Sequence, residues 1–198
     1  MLDLHRNWFK GIENKTADIF AVLPFTPNQY TSFSIIVALA MLCLIIIGHY
    51  IGALALFLLS AGLDFVDGAV ARRKGLSTNK GAYWDTIADR YVEAIFLLGV
   101  MFAGLPDFYM PACVWIFLVL VGSLMTTYAK AAAKEKGLSD MELRGGVMSR
   151  GERFISYGAI LVFLVCGYSQ WAAIIVAVLA LLSNLTAIQR ISMAWSKK

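Results

Sequence analysis

The chain has 198 residues, of which 60% are hydrophobic and 15% charged, with a mean hydropathy of +0.71 and a formal net charge of +4. A soluble core of this size does not need that much apolar surface, so the composition excludes an ordinary soluble domain and points to an integral membrane protein. The modest positive charge is better explained by membrane topology than by a nucleic-acid partner, and no such partner is expected.

Residues 1–20 mix both charge signs and lack a continuous apolar core, so no cleavable signal peptide is expected. Apolar side chains at Leu4, Trp8, Ile12 and Phe20 predict an amphipathic helix lying at the membrane interface within residues 1–24. Pro24 and Pro27 then break the chain, and Thr26, Pro27 and Asn28 read as a cap and turn. Six stretches follow with about the 20 residues needed to cross a hydrocarbon core of roughly 30 Å. They run over about 31–49, 51–70, 82–103, 109–130, 153–168 and 171–189. The expected fold is therefore an all-α integral membrane protein. It forms a single domain over residues 1–198, with a juxtamembrane helix in 1–24 and six transmembrane helices in 25–198. No linker, low-complexity tract or repeat divides it.

The basic residues sort to one side. Arg6, Lys10 and Lys15 precede the first span, and Arg72, Arg73, Lys74 and Lys80 lie between spans two and three. Lys130, Lys134, Lys136, Arg144, Arg150 and Arg153 surround the link between spans four and five, and Arg190, Lys197 and Lys198 follow the last. The opposite connections, near 49–50, 104–108 and 167–170, contain no Lys or Arg. The positive-inside rule places both termini and both basic loops in the cytoplasm, with the chain in the cytoplasmic membrane. Cys43, Cys113 and Cys166 fall in apolar segments without a C-x-x-C spacing and read as packed free thiols.

The second and third spans are interrupted by charge. Asp64, Asp67, Gly68, Ala71, Arg72, Gly81, Asp85 and Asp89 fit the pattern D-x2-D-G-x2-A-R-x8-G-x3-D-x3-D. Residues three and four apart share a helix face, so Asp64, Asp67, Gly68 and Ala71 form one stripe and Gly81, Asp85 and Asp89 another. An antiparallel pairing of the two helices brings the stripes together and converges all four carboxylates. Acids packed this way among membrane helices repel one another unless cations sit between them, and two divalent ions are the economical solution. Oxygen ligands favour Mg²⁺, Mn²⁺ or Ca²⁺ over zinc. A metal pair on carboxylates suits phosphoryl chemistry. Asp89, a turn deeper than Asp85, can bind metal, act as a general base, or do both in turn. Arg72 can bind phosphate or pair with an Asp, and Arg90 reads as structural. Plain ion pairing between helices would leave acid in excess, because only Arg72 and Arg90 are well placed to neutralise it. A divalent-cation transporter would continue its acids across the bilayer, whereas beyond Glu93 the third span is apolar.

This pattern resembles the signature of the CDP-alcohol phosphatidyltransferase family at every fixed position. The resemblance implies transfer of a phosphatidyl-type group from a CDP-linked lipid to an alcohol, with release of CMP, by a homodimer with a two-metal Mg²⁺ or Mn²⁺ centre. It implies Asp64, Asp67, Asp85 and Asp89 as metal ligands, with Asp89 the catalytic base. Asp67, Gly68, Ala71, Arg72 and Gly81 would surround the cytidine diphosphate. Pro27, Asn28 and Thr31 resemble a T-P-N-x-x-T stretch that closes the nucleotide site, where Thr78 would add a hydroxyl.

The acceptor must be read elsewhere. Arg150 and Arg153 share a helix face, Arg144 is near in sequence, and Lys130 and Arg190 end spans on the same side. Arginine forks suit a phosphate better than a neutral alcohol requires, so a phosphorylated polyol is the expected acceptor. The stretch resembles the Y-x-K-A…R-x-x-R pattern of the phosphatidylinositol-phosphate synthase branch, including archaeal-type members, which implies inositol 1-phosphate. Glycerol phosphate is the alternative acceptor. CDP-diacylglycerol and CDP-archaeol fit the apolar spans equally.

Overall fold

The structure is a computed structural model and describes residues 25–138 and 145–196. Among these, the regular structure is six helices: α1 (Pro27–Ile46), α2 (Tyr50–Arg73), α3 (Asn79–Phe102), α4 (Ala112–Glu135), α5 (Arg150–Val165) and α6 (Ser169–Ser196). One helix overlaps each expected span. The interfacial helix expected within residues 1–24, Arg144, Lys197 and Lys198 lie outside the described residues. α1, α2, α4 and α6 are long and apolar enough to cross a membrane. α3 carries Lys80, Asp85, Asp89, Arg90 and Glu93 before its apolar end. α5 has 16 residues, about 24 Å of helix at 1.5 Å per residue.

Helix boundaries follow local chemistry. Pro27 takes the first position of α1, where a missing N–H costs nothing, and the Gln29 carboxamide oxygen accepts the Thr26 N–H at 2.7 Å. Thr78 caps α3, its hydroxyl accepting the Gly81 N–H at 3.0 Å. Ser149 and Glu152 form a complete capping box on α5, with the Ser149 N–H donating to the Glu152 carboxylate at 2.6 Å. At the end of α2 the left-handed backbone of Gly75 (φ 64°) lets the Leu76 N–H reach the Ala71 carbonyl at 2.9 Å. That turn delivers residues 76–78 to the start of α3. α4 continues past Lys130 through the helix-favouring run Ala131, Ala132 and Ala133.

Among the described residues the helices divide into two compact units, 25–43 with 55–96, and 44–54 with 97–138 and 145–196. In the first, α1 packs on α2 through Tyr30, Val66 and Val70, with Leu63 alongside. The Phe57 and Phe96 rings, 5.7 Å apart, join α2 to α3. In the second, α6 packs against both α4 and α5. A Cβ at Gly122 of α4 would lie 2.8 Å from the Asn184 backbone nitrogen, so only glycine permits this approach. The Asn184 amide then donates to the Leu118 carbonyl at 2.8 Å. The segment before α5 lies on α6, where the Met148 N–H donates to the Thr186 hydroxyl at 3.0 Å. Cys43, Cys113 and Cys166 are free thiols but exposed rather than packed. On a membrane helix the outward face meets lipid, which suits a thiol as well as a core does.

Candidate active site

The carboxylates sit where α2 ends and α3 begins. Asp64, Asp85 and Asp89, all half-buried, each offer an oxygen within 4.8 Å of the others. At that spacing each pair of charges repels by roughly 3 kcal/mol at an effective dielectric of 20. A hard divalent cation held among the three relieves that repulsion, and an all-oxygen donor set suits Mg²⁺ or Mn²⁺. Asp67 lies beside the trio rather than within it, near enough to Asp64 and Asp85 for their charges to interact. Three residues along a helix is a rotation of about 300°, about 60° short of a full turn, which sets Asp67 to one side of Asp64 on the same broad face. It faces α1, where its carboxylate is buried and accepts the Thr31 hydroxyl at 2.6 Å. Arg90 is engaged by Glu93 within α3, its Nη1 donating to the carboxylate at 2.6 Å.

Next to the acids lies an open cavity of about 170 Å³. Pro27, Asn28, Thr31, Asp67, Gly68, Ala71, Arg72, Thr78 and Gly81 all line it, and so does Asp85, which belongs to both the cavity and the carboxylate trio. Its volume suits a polar head group rather than a whole lipid. Each glycine has a steric reason. A Cβ on Gly68 would come within 3.3 Å of the Arg72 guanidinium, which lies over it. A Cβ on Gly81 would come within 3.2 Å of both the Asn28 side-chain oxygen and the Thr78 hydroxyl. The first turns of α1 and α3 therefore approach each other closely at Gly81. Leu76, Ser77 and Ala82 complete the lining and were not singled out from sequence. Leu76 and Ser77 belong to the α2–α3 turn, whose position on the cavity follows from the Gly75 cap.

The basic residues expected to bind an acceptor phosphate are in the second unit. Lys130 is half-buried on α4, and Arg150 opens α5 exposed to solvent. Arg153 is only 3% exposed and lies close enough to Arg190 for their charges to interact. Arg190 also holds the unit together, donating to the Thr126 carbonyl at 2.9 Å and the Gly145 carbonyl at 3.2 Å. Two of its donors thus serve the fold, and sequence gave no sign of that use.

A family model described as CDP-alcohol phosphatidyltransferase matches residues 25–184. The chain is 31% identical over 185 residues to a bifunctional IPC transferase and DIPP synthase of Aquifex aeolicus, covering 90% of this chain but only 41% of that protein. It is 30% identical over 171 residues to an archaetidylinositol phosphate synthase of Pyrococcus horikoshii, covering 86% of this chain and 84% of the relative. Among solved structures, that of the Mycobacterium tuberculosis phosphatidylinositol phosphate synthase with CDP-DAG bound superposes with a TM-score of 0.80 at 24% identity. It covers 93% of this chain and 94% of that one. The same mycobacterial protein in complex with manganese and citrate gives a TM-score of 0.79.

Proposed function

The chain belongs to the CDP-alcohol phosphatidyltransferase family, and from that premise we propose that it transfers a phosphatidyl-type group from a CDP-linked lipid to inositol 1-phosphate, releasing CMP. One observation carries the reading: a single cavity gathers the signature glycines, Arg72 and the α1 start, and shares Asp85 with the carboxylate trio. The inositol-phosphate synthases among its relatives support the acceptor. So does the neighbouring pair of Arg153 and Arg190, since like charges held together favour a phosphate between them.

Asp64, Asp67, Asp85 and Asp89 would hold two Mg²⁺ or Mn²⁺ ions. When bound, such ions neutralise charge on the pyrophosphate and on the departing phosphate. The protein's own groups do the rest. Pro27, Asn28 and Thr31 close over the nucleotide, Arg72 faces its phosphates, and Gly68 and Gly81 leave room for it. Asp89 takes the proton from an inositol hydroxyl. That oxygen bonds to the phosphorus carrying the lipid, the bond from this phosphorus to CMP breaks, and CMP leaves. Lys130, Arg150, Arg153 and Arg190 hold the acceptor's own phosphate. The same reading takes the chain as one domain and a homodimer in the cytoplasmic membrane. It has six spans, an interfacial N-terminal helix, and its termini and active site on the cytoplasmic side.

The test is CMP release by purified protein in detergent with Mg²⁺, comparing inositol 1-phosphate, free inositol, glycerol phosphate and serine, with both diacylglycerol and archaeol donors. Stimulation by inositol 1-phosphate alone, lost in Asp89→Asn and on chelation, is the expected result. Stimulation by glycerol phosphate instead would overturn the acceptor while keeping the transfer. No CMP with any acceptor would overturn the transfer itself.

A further inference from the structure

Two side chains that do not touch the cavity connect its walls. The Trp84 indole N–H donates to the Ser32 hydroxyl at 3.2 Å, and that hydroxyl donates to the Asn28 carbonyl at 2.9 Å. A hydroxyl has one proton and two lone pairs, so both bonds are made at once. Asn28 meets Gly81 where the first turns of the two helices approach. One turn further along, Ser32 meets Trp84, so α1 and α3 run parallel through this contact. On α1 the same turns carry Pro27, Asn28 and Thr31, one wall of the cavity, and on α3 they carry Gly81, Ala82 and Asp85, the opposite wall.

We propose that Trp84 and Ser32 are positioning residues that fix the width of the nucleotide cleft by tying α1 to α3. Trp84 occupies one of the three unspecified positions between Gly81 and Asp85, so the signature does not ask for it. Asp64, Asp85 and Asp89 are carried by α2 and α3, and Asp67 keeps its own bond to Thr31 on α1, so loosening the Trp84–Ser32 contact widens the nucleotide side and leaves the carboxylate trio in place. The tie therefore acts on nucleotide affinity and not on the chemical step. This inference rests on the nucleotide reading of the cavity given above.

Trp84→Phe keeps the bulk and removes the donor, Ser32→Ala removes the bridge, and Ser32→Thr retains a hydroxyl. For purified protein, KM for the CDP-lipid and the Kd for CMP should both rise about three- to tenfold in Trp84→Phe and in Ser32→Ala. The kcat at saturating donor and the Mg²⁺ requirement should stay within about twofold of wild type, and Ser32→Thr should restore the affinity. The double variant should be no weaker than either single one, because each already breaks the same relay. A lowered unfolding midpoint with KM and Kd unchanged would reduce the tie to a structural one and overturn the proposal, as would additive losses or a fall in kcat alone. The two readings separate cleanly. A wild-type protein that binds CMP through the tie but releases none from any CDP-lipid overturns the transfer and keeps the tie. Active wild type with unaffected variants does the reverse. A chain that neither binds CMP nor releases it overturns both.

Discussion

Asp64 and Asp67 stand three residues apart on α2, and the rotation that separates them gives them different neighbours. Asp64 joins Asp85 and Asp89, whereas Asp67 is held by Thr31 on α1. A hydrogen bond to a buried charge contributes about 1.5–3 kcal/mol, and removing the donor leaves the carboxylate short of a partner it was folded around. Thr31→Val should therefore lower the unfolding midpoint in detergent and weaken CMP binding by roughly tenfold or more, while Thr31→Ser keeps both near wild type. Equal behaviour of the Val variant and wild type would make the contact dispensable. Gly81 tests the same wall from the other side. A Cβ there lies 3.2 Å from atoms of Asn28 and Thr78, both in or beside helix first turns whose retreat would disturb a cap. Gly81→Ala should cost about 1–3 kcal/mol, as overpacking does, read as weaker CMP binding. Gly68→Ala should be milder, because the atom it meets is the mobile end of Arg72. Titrating CMP into both variants checks the order.

At the scale of elements, the cap on α5 has a pH signature. The Ser149 N–H, and after it the Ser149 hydroxyl, hold the exposed Glu152 carboxyl below its ordinary range. A depressed folded value means that the stabilisation is complete above the unfolded value and is lost as the pH falls through the folded one. Glu152→Gln, which keeps an acceptor for the Ser149 N–H but removes the charge, should cost about 1 kcal/mol at neutral pH. Its unfolding midpoint should approach that of wild type under acid, and a gap that stays constant with pH would discount the carboxylate's part in the box. The α2–α3 hairpin was legible from sequence, because residues three and four apart must share a face and the signature lies on two helices joined by a six-residue polar turn at most. Asp67, Gly68, Ala71, Arg72, Gly81 and Asp85 were within reach of the cavity for that reason, whereas Pro27, Asn28, Thr31 and Thr78 came only from the family resemblance. What stayed hidden depends on how a third helix is rotated and set against these two. No spacing within α2 shows that Asp67 faces Thr31. Nothing in α3 alone shows that Trp84 reaches Ser32. Arg190 likewise looked like a free phosphate fork, and only the packing of α6 on α4 reveals that it is also bonded to the Thr126 carbonyl.

For the whole molecule, the number of crossings decides which side each connection occupies. By length and composition alone α1, α2, α4 and α6 can cross. With only those four crossing, the segment 103–111 would stay on the cytoplasmic side and the basic link between α4 and α5 would be exported. That arrangement puts Lys134, Lys136 and Arg150 outside, against the positive-inside rule. The charges of α3 do not forbid its crossing. Arg90 and Glu93 neutralise each other at 2.6 Å, Asp85 and Asp89 share the carboxylate cluster with Asp64, and the helix is apolar from Ala94 to Phe102. Ionisable groups in a membrane helix are tolerated when they are paired or face a polar cavity. α5 is short, but a span below the hydrocarbon thickness is accommodated by local thinning at a modest cost. On the proposed six crossings, Tyr109, which is 93% exposed, lies outside and Lys136 inside. In a cysteine-free background, an impermeant maleimide added to intact cells should label Tyr109→Cys and leave Lys136→Cys unlabelled until the membrane is opened. Four crossings predict the reverse at both positions, whereas the termini would report the same side in either case, so these two residues carry the decision.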